Sequence, residues 1–168
     1  MSALHSIPRE EASPPTRLVP DHPALWRGSD LARTRLPGVS SGSQALDREL
    51  PGGGWPLGAL TEILPQHEGI GELRLLGQAL SALSRKNQYL IWVAPPYAPY
   101  APALAAAGID MRYLTIVRPR SRKDALWAME QALASNACGA VLGWLPESGG
   151  DRYTELRRLQ LAAERGQA

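Results

Sequence analysis

Short apolar runs and helical apolar stripes alternate along this chain. The apolar runs at residues 89–94, 113–117 and 137–145 predict strands, and the run at 89–94 is nearly uninterrupted, as expected for a strand buried on both faces of a parallel sheet. Apolar residues spaced by three and four predict five amphipathic helices, at 43–50, from Glu68 or Gly71 to Ser84, at 101–107, from Ser121 or Asp124 to Asn136, and at 151–165. The alternation predicts a doubly wound α/β domain with a mostly parallel sheet.

Residues 51–71 combine a Gly/Pro turn, a predicted strand at 59–64 and a loop before a helix. A nucleotide-binding P-loop at such a junction needs Gly-x4-Gly-Lys-Ser/Thr, because the loop amides, the lysine and the hydroxyl hold the phosphates and Mg²⁺. Here Leu64 takes the first glycine position, Gly69 keeps the second, and Ile70 and Gly71 replace the lysine and the hydroxyl residue. We therefore predict a degenerate phosphate loop that does not hydrolyse ATP. It is formed by Leu64, Pro65, Gln66, His67, Glu68, Gly69, Ile70 and Gly71.

Composition divides the 168 residues into two parts. Residues 1–37 are Pro-rich and polar, which predicts a disordered or loosely attached arm, and residues 38–168 form the predicted α/β domain. A single Cys138, no signal peptide and no membrane-length apolar run predict a cytoplasmic protein. The net charge of +2 is too small to indicate nucleic-acid binding by itself. The last predicted helix runs almost to residue 168, whereas a βα series normally returns to another strand, so we expect either a C-terminally shortened chain or a disordered tail.

The order of these landmarks resembles the RecA-like ATPase core over residues 44–146. More specifically, the chain resembles the ImuA family of bacterial SOS mutagenesis proteins. The SulA family of cell-division inhibitors is a related alternative that shares the Ala-Pro-Pro strand end and the final Gly-Gln. The likeness is carried by Leu50-Pro-Gly-Gly-Gly-Trp-Pro56, Gly69-Ile-Gly-Glu-Leu73, Val93-Ala-Pro-Pro-Tyr97, Asp124-Ala-Leu-Trp-Ala-Met-Glu130 and Arg157-Arg-Leu-Gln-Leu-Ala-Ala-Glu-Arg-Gly-Gln167.

This resemblance implies a RecA-like three-layer α/β core with a mostly parallel sheet, a degenerate P-loop and a flexible Pro-rich N-terminal arm. It also implies a non-catalytic accessory protein of SOS-induced translesion DNA synthesis with no cofactor. The implied partners are an ImuB-like Y-family polymerase homologue, RecA and an error-prone polymerase, with docking by mimicry of a RecA filament subunit. The alternative is a SulA-like inhibitor that binds the division GTPase FtsZ. A residual nucleotide- or DNA-binding enzyme ranks third.

Candidate contact residues follow from residue type and position. Loop aromatics are typical interface anchors. Those predicted here are Trp26, with its neighbour Leu25 in the arm, and Trp55, Tyr97 and Tyr100. Trp26 equally suits packing on the domain, and Trp55 equally suits filling the vacated nucleotide pocket. The basic run Arg118, Arg120, Arg122 and Lys123 predicts either a DNA-backbone contact or a solvated loop.

The titratable residues favour no catalytic or metal site. His67 lies among Glu62, Glu68 and Glu72, but acidic residues at a helix N-terminus are favoured by the helix dipole without any chemistry. The other two histidines lie in the arm, so no histidine cluster predicts a metal. Cys138 lies on a predicted buried strand, where a small core residue is a better interpretation than a nucleophile.

Overall fold

The computed structural model describes residues 37–65, 67, 71–145 and 151–168. The strands in this part of the chain are β1 (Gly38–Val39), β2 (Trp55–Pro56), β3 (Tyr89–Val93), β4 (Leu114–Val117) and β5 (Cys138–Gly143). The α-helices are α1 (Gln44–Glu49), α2 (Glu72–Arg85), α3 (Ala101–Ala106), α4 (Arg122–Leu133) and α5 (Arg152–Gly166), and a short 3-10 helix spans Met111–Tyr113.

The described strands form two separate sheets. The larger one is parallel, with the order β4-β3-β5, and its register aligns Leu90 with Leu114 on one side and with Ala140 on the other. The smaller one is an antiparallel pair of β1 and β2. The three apolar runs therefore form strands as predicted, with β3 in the centre of the parallel sheet.

Side chains of β3 alternate between two helix layers. Leu90 and Trp92 pack with leucines of α2, whereas Val93 packs with α4 and α5. All three side chains are fully buried, and each contributes about 1.5–3 kcal/mol or more by leaving water. The prediction that this strand is buried on both faces is confirmed.

Three helices begin at capping residues, and α2 turns its leucine stripe toward the sheet as the sequence predicts. The side chains of Ser43 and Ser121 accept hydrogen bonds from the first turns of α1 and α4, and Asp151 does the same for α5. On α2, Leu80 and Leu83 are buried, and Leu73 and Leu76 extend the same stripe against the cluster around Trp92. Helical spacing and capping residues thus decide these elements.

The predicted RecA-like core with a degenerate P-loop is wrong. Residues 59–65 form no strand, so the sheet lacks the strand that would lead into a phosphate loop. Backbone groups of this segment are bonded elsewhere: the Gly58 N–H donates to the carbonyl of Ala168 at 3.0 Å, and the Leu60 N–H donates to Oε1 of Gln160 at 2.7 Å. These two hydrogen bonds hold the start of the segment against the end and side of α5.

The division into an arm and a domain stays a prediction, because residues 1–36 lie outside the described residues. Within the described ranges, no helix has both the length and the apolar character needed to cross a bilayer.

A close approach between helices makes Gly166 irreplaceable. A Cβ added to Gly166 of α5 would collide with the backbone carbonyl of Leu133 at the end of α4. Backbone cannot yield as a flexible side chain does, so we expect Gly166→Ala to lower the free energy of unfolding by about 3 kcal/mol.

The matched control is Gly77→Ala in the middle of α2. A Cβ there meets nothing within 4 Å, so the higher helix propensity of alanine should raise stability by about 0.5–1 kcal/mol. Urea denaturation of both variants measures the difference. Equal stabilities would show that α4 and α5 are not in this contact.

Candidate protein-binding surface

The carboxyl ends of β3 and β4 lie side by side and carry two exposed loops. The N–H of Ala94, the first residue after β3, donates to the carbonyl of Val117, the last residue of β4, at 2.9 Å. Ala94 has a φ of 55°, in the left-handed region, although it is not glycine. Such strain persists only where surrounding structure holds it, and here Pro95 and Pro96 follow directly and stiffen the loop.

Large exposed side chains extend from both loops. Tyr97 and Tyr100, after β3, are 70% and 71% exposed, and Arg118 and Arg120, after β4, are exposed as well. The structure therefore brings to one sheet edge two of the predicted aromatic contacts and half of the predicted basic run. We call these four residues the edge surface.

Arg122 belongs to a different environment from the rest of the basic run. It is the first residue of α4, and its Nη2 lies 2.6 Å from Oε2 of Glu155 on α5, with both side chains at most 20% exposed. This ion pair joins the two helices. Lys123 follows it and is exposed. The four predicted cations thus divide into Arg122, which holds helices together, and three that face solvent.

Trp55 lies against α2. Its Nε1 donates to the carbonyl of Leu75 at 3.3 Å, and the residue is half-buried. Together with Val39, Leu76 and Leu80 it lines a cavity of about 110 Å³ between the β1–β2 pair and α2. Much of its ring is therefore committed to holding β2 on the domain.

The predicted phosphate loop is only partly described. Leu64 is 77% exposed, Pro65 and His67 are exposed, and Gly71 caps α2 with a φ of 107°. Gln66, Glu68, Gly69 and Ile70 lie outside the described residues, as do Leu25 and Trp26. Glu62 pairs with Arg152 at 2.7 Å. Among the residues that the structure describes, no three His, Cys, Asp or Glu side chains are grouped closely enough to hold a metal ion.

Mg-ATP is expected to leave the melting temperature unchanged within about 1 °C at millimolar nucleotide. A ligand present at 100 times its Kd would stabilise the fold by about 2.7 kcal/mol, so the assay detects micromolar binding. The sequence contains no Gly-x4-Gly-Lys-Ser/Thr motif that could hold phosphate and Mg²⁺. A saturable rise in melting temperature would contradict this expectation.

Cys138 is buried at the start of β5. Burial raises the pKa of its thiol to about 11, although a backbone hydrogen bond with Ala140 lowers it slightly. At pH 8 only about one thiol in a thousand is then ionised. We expect Ellman's reagent to modify native protein very slowly at pH 8 and faster as pH rises toward 11. Unfolded protein in guanidinium should react within seconds, and equally fast reaction of the native state would contradict burial.

Sequence reasoning missed two exposed aromatic residues on the helices. Trp127 on α4 is 63% exposed and Tyr153 on α5 is 72% exposed. The signal was present for Trp127, because it lies off the helical stripe of Ala125, Met129 and Leu133, which is buried.

This chain matches one protein-family model and is similar in sequence to proteins of two kinds. The family model described as cell division inhibitor SulA matches residues 58–168. Protein ImuA of Caulobacter vibrioides (strain NA1000 / CB15N) is 33% identical over 138 residues, which are 79% of this chain and 55% of that protein. The cell division inhibitor SulA of Edwardsiella piscicida is 32% identical over 94 residues, 56% of this chain and 54% of that protein.

A solved structure agrees with the fold. The crystal structure of SulA from Pseudomonas aeruginosa superposes with a TM-score of 0.52 at 25% identity, covering 64% of this chain and 90% of that one. This likeness supports a small α/β domain of the same kind in place of the expected P-loop core. In sequence, this chain spans about half the length of the ImuA and SulA relatives named above.

Proposed function

Because this chain belongs to the SulA family, we propose that it is a non-catalytic protein that acts by binding other proteins. Its likeness to both ImuA and SulA indicates a protein of the bacterial SOS response. Within that response we assign it an ImuA-like role in translesion DNA synthesis. Its partners in this role are an ImuB-like Y-family polymerase homologue, RecA and an error-prone polymerase.

The extent of the ImuA likeness favours this role over division control. The SulA family model begins at residue 58 and covers about two thirds of the chain. The ImuA match covers 79%, so it includes residues before Gly58, in the segment that holds α1 and the β1–β2 pair. A role shared with ImuA therefore has support from a part of the domain that the SulA model leaves out.

The edge surface is the observation that carries the proposal. Tyrosine and arginine are the side chains most enriched among residues that dominate protein–protein binding, and here two of each extend from neighbouring loops on a stiff base. Filament mimicry is not retained, because the fold is not a RecA-like core. Arg118, Arg120 and Lys123 also suit weak contact with a DNA backbone, which would be lost as salt rises.

Replacing both Tyr97 and Tyr100 by alanine should weaken binding to the ImuB-like partner or RecA at least tenfold. The expected loss reflects two anchors worth about 1–2 kcal/mol each. The measurement is a titration of each purified partner from one host by interferometry. Tyr153→Ala is the matched control, since Tyr153 is 72% exposed and lies on α5; it should change affinity less than twofold. Equal losses in both variants, or none, would remove the edge surface from the interface.

A second candidate function is inhibition of FtsZ assembly. The specific observation is the structural likeness to SulA, which covers 90% of the Pseudomonas aeruginosa protein. FtsZ from the same host provides the test, by light scattering with GTP. Full assembly in excess of this protein, together with micromolar binding to RecA or the ImuB-like partner, supports the mutagenesis role. Blocked assembly without binding to either would favour division control.

A further inference from the structure

A groove runs between the outer faces of α4 and α5 and is independent of the edge surface. The two helices are held together by the Arg122–Glu155 pair and by a second pair, in which Nη2 of Arg158 lies 2.8 Å from Oε2 of Glu130. The groove encloses about 210 Å³ and is lined by Ala134, Leu161 and Ala162, with Arg158 and Arg165 among its polar residues. We call it the α4–α5 groove.

Each of the two helices carries one large apolar side chain that is flanked, one turn before and one turn after, by a cationic or amide side chain. On α4, Lys123, Trp127 and Gln131 follow one another at a spacing of four residues, and on α5 Arg157, Leu161 and Arg165 do the same. Residues at this spacing share a helix face. Trp127 is 63% and Leu161 is 40% exposed, so both helices carry apolar surface that the domain itself does not cover.

The surface around the groove carries more unpaired cations than unpaired carboxylates. Lys123, Arg157 and Arg165 are exposed and form no ion pair with any residue that the structure describes. Glu130 and Glu155 are neutralised by arginines, whereas Asp124 and Glu164 accept hydrogen bonds from the neutral side chains of Ser121 and Gln160 and keep their charge. The three unpaired cations outnumber these two carboxylates, so the groove presents a small excess of positive charge to an incoming molecule.

We propose that the α4–α5 groove binds an acidic amphipathic helix of a partner protein. A bulky apolar residue of that helix inserts between Ala134 and Leu161, and its flanking carboxylates lie on Arg165, Arg157 and Lys123. The volume fits one side-chain anchor and falls below the 300–1,000 Å³ typical of small-molecule sites. The small residues Ala134 and Ala162 permit close approach of a third helix, in the manner of helix-in-groove recognition.

The position of Glu130 favours binding of a peptide over binding of a nucleic acid in this groove. Its carboxylate lines the groove and is 19% exposed beside Arg158, which disfavours a phosphate at the same depth. An apolar anchor, in contrast, contacts the aliphatic floor and leaves this ion pair intact. Cations lie at the rim, where they reach carboxylates on the exposed side of a docked helix.

Two labelled probe peptides test the proposal by fluorescence anisotropy. Both are designed helices of roughly 18 residues, about five turns, with the same leucine and tryptophan stripe. One carries glutamates and the other lysines at the remaining positions. We expect the full chain to bind the acidic peptide with micromolar Kd, at least tenfold tighter than the basic one. Equal affinities, or no binding of the acidic peptide, would overturn the proposal.

Variants assign the binding to the groove. Ala134→Trp fills the groove from an exposed position at the end of α4. It should weaken binding of the acidic peptide at least tenfold. Ala105→Trp, on exposed α3 across the sheet, should leave affinity unchanged. Should Ala134→Trp fail to fold by circular dichroism, Arg165→Gln serves instead, with an expected threefold to tenfold loss. Unchanged binding in the folded groove variant, or preference for labelled oligo-dT over the acidic peptide, would refute the groove as a helix site.

Discussion

The central strand β3 is the element on which the described domain depends. Its neighbours β4 and β5 pair only through it, and its side chains Leu90, Trp92 and Val93 are the ones that both helix layers cover. Trp92 fills most of this space and packs against Trp144, with ring centroids 5.7 Å apart. Its Nε1 has no hydrogen-bond partner among the described residues, a cost of about 1–3 kcal/mol. Burial of the large ring offsets that cost. The packing of Trp92 therefore helps to fix β3 and the loop that follows it.

Much of this arrangement could be predicted from local pattern. The apolar run of β3 is continuous because both of its faces are covered, and the helices carry apolar stripes with serine or aspartate caps, so each signal lies within a few residues. Residues 59–64 gave an equally good strand pattern and formed none. What decided them is remote: the side chain of Gln160 binds the Leu60 N–H across 100 positions. No local pattern contains that hydrogen bond, and the expectation of a P-loop core failed with the strand.

The candidate surfaces also contain features that local sequence predicts and features that depend on remote contacts. Exposed tyrosines after β3 could be predicted, because a proline-rich loop at a strand end cannot bury them. The role of Arg122 could not, since its place in a basic run resembles that of Arg118 and Arg120. Only packing of α4 on α5 brings Glu155, 33 residues later, within 2.6 Å of it. A charge run read from sequence therefore mixes structural and solvent-facing cations, and burial alone separates them.

Partner choice in this family has to come from side chains that the core does not use. The described core is built from aliphatic residues and Trp92, which fix the sheet and the helix layers but are inaccessible to any partner. Tyr97, Tyr100, Trp127 and Leu161 are the opposite case, since each keeps large apolar area in water without adding to the core. Exposed apolar area promotes association. The edge surface lies on the loops after β3 and β4 and the α4–α5 groove lies between two helices, so the two proposals assign the exposed apolar side chains of the domain to two different sets of residues, and variants of one set can be tested without changing the other.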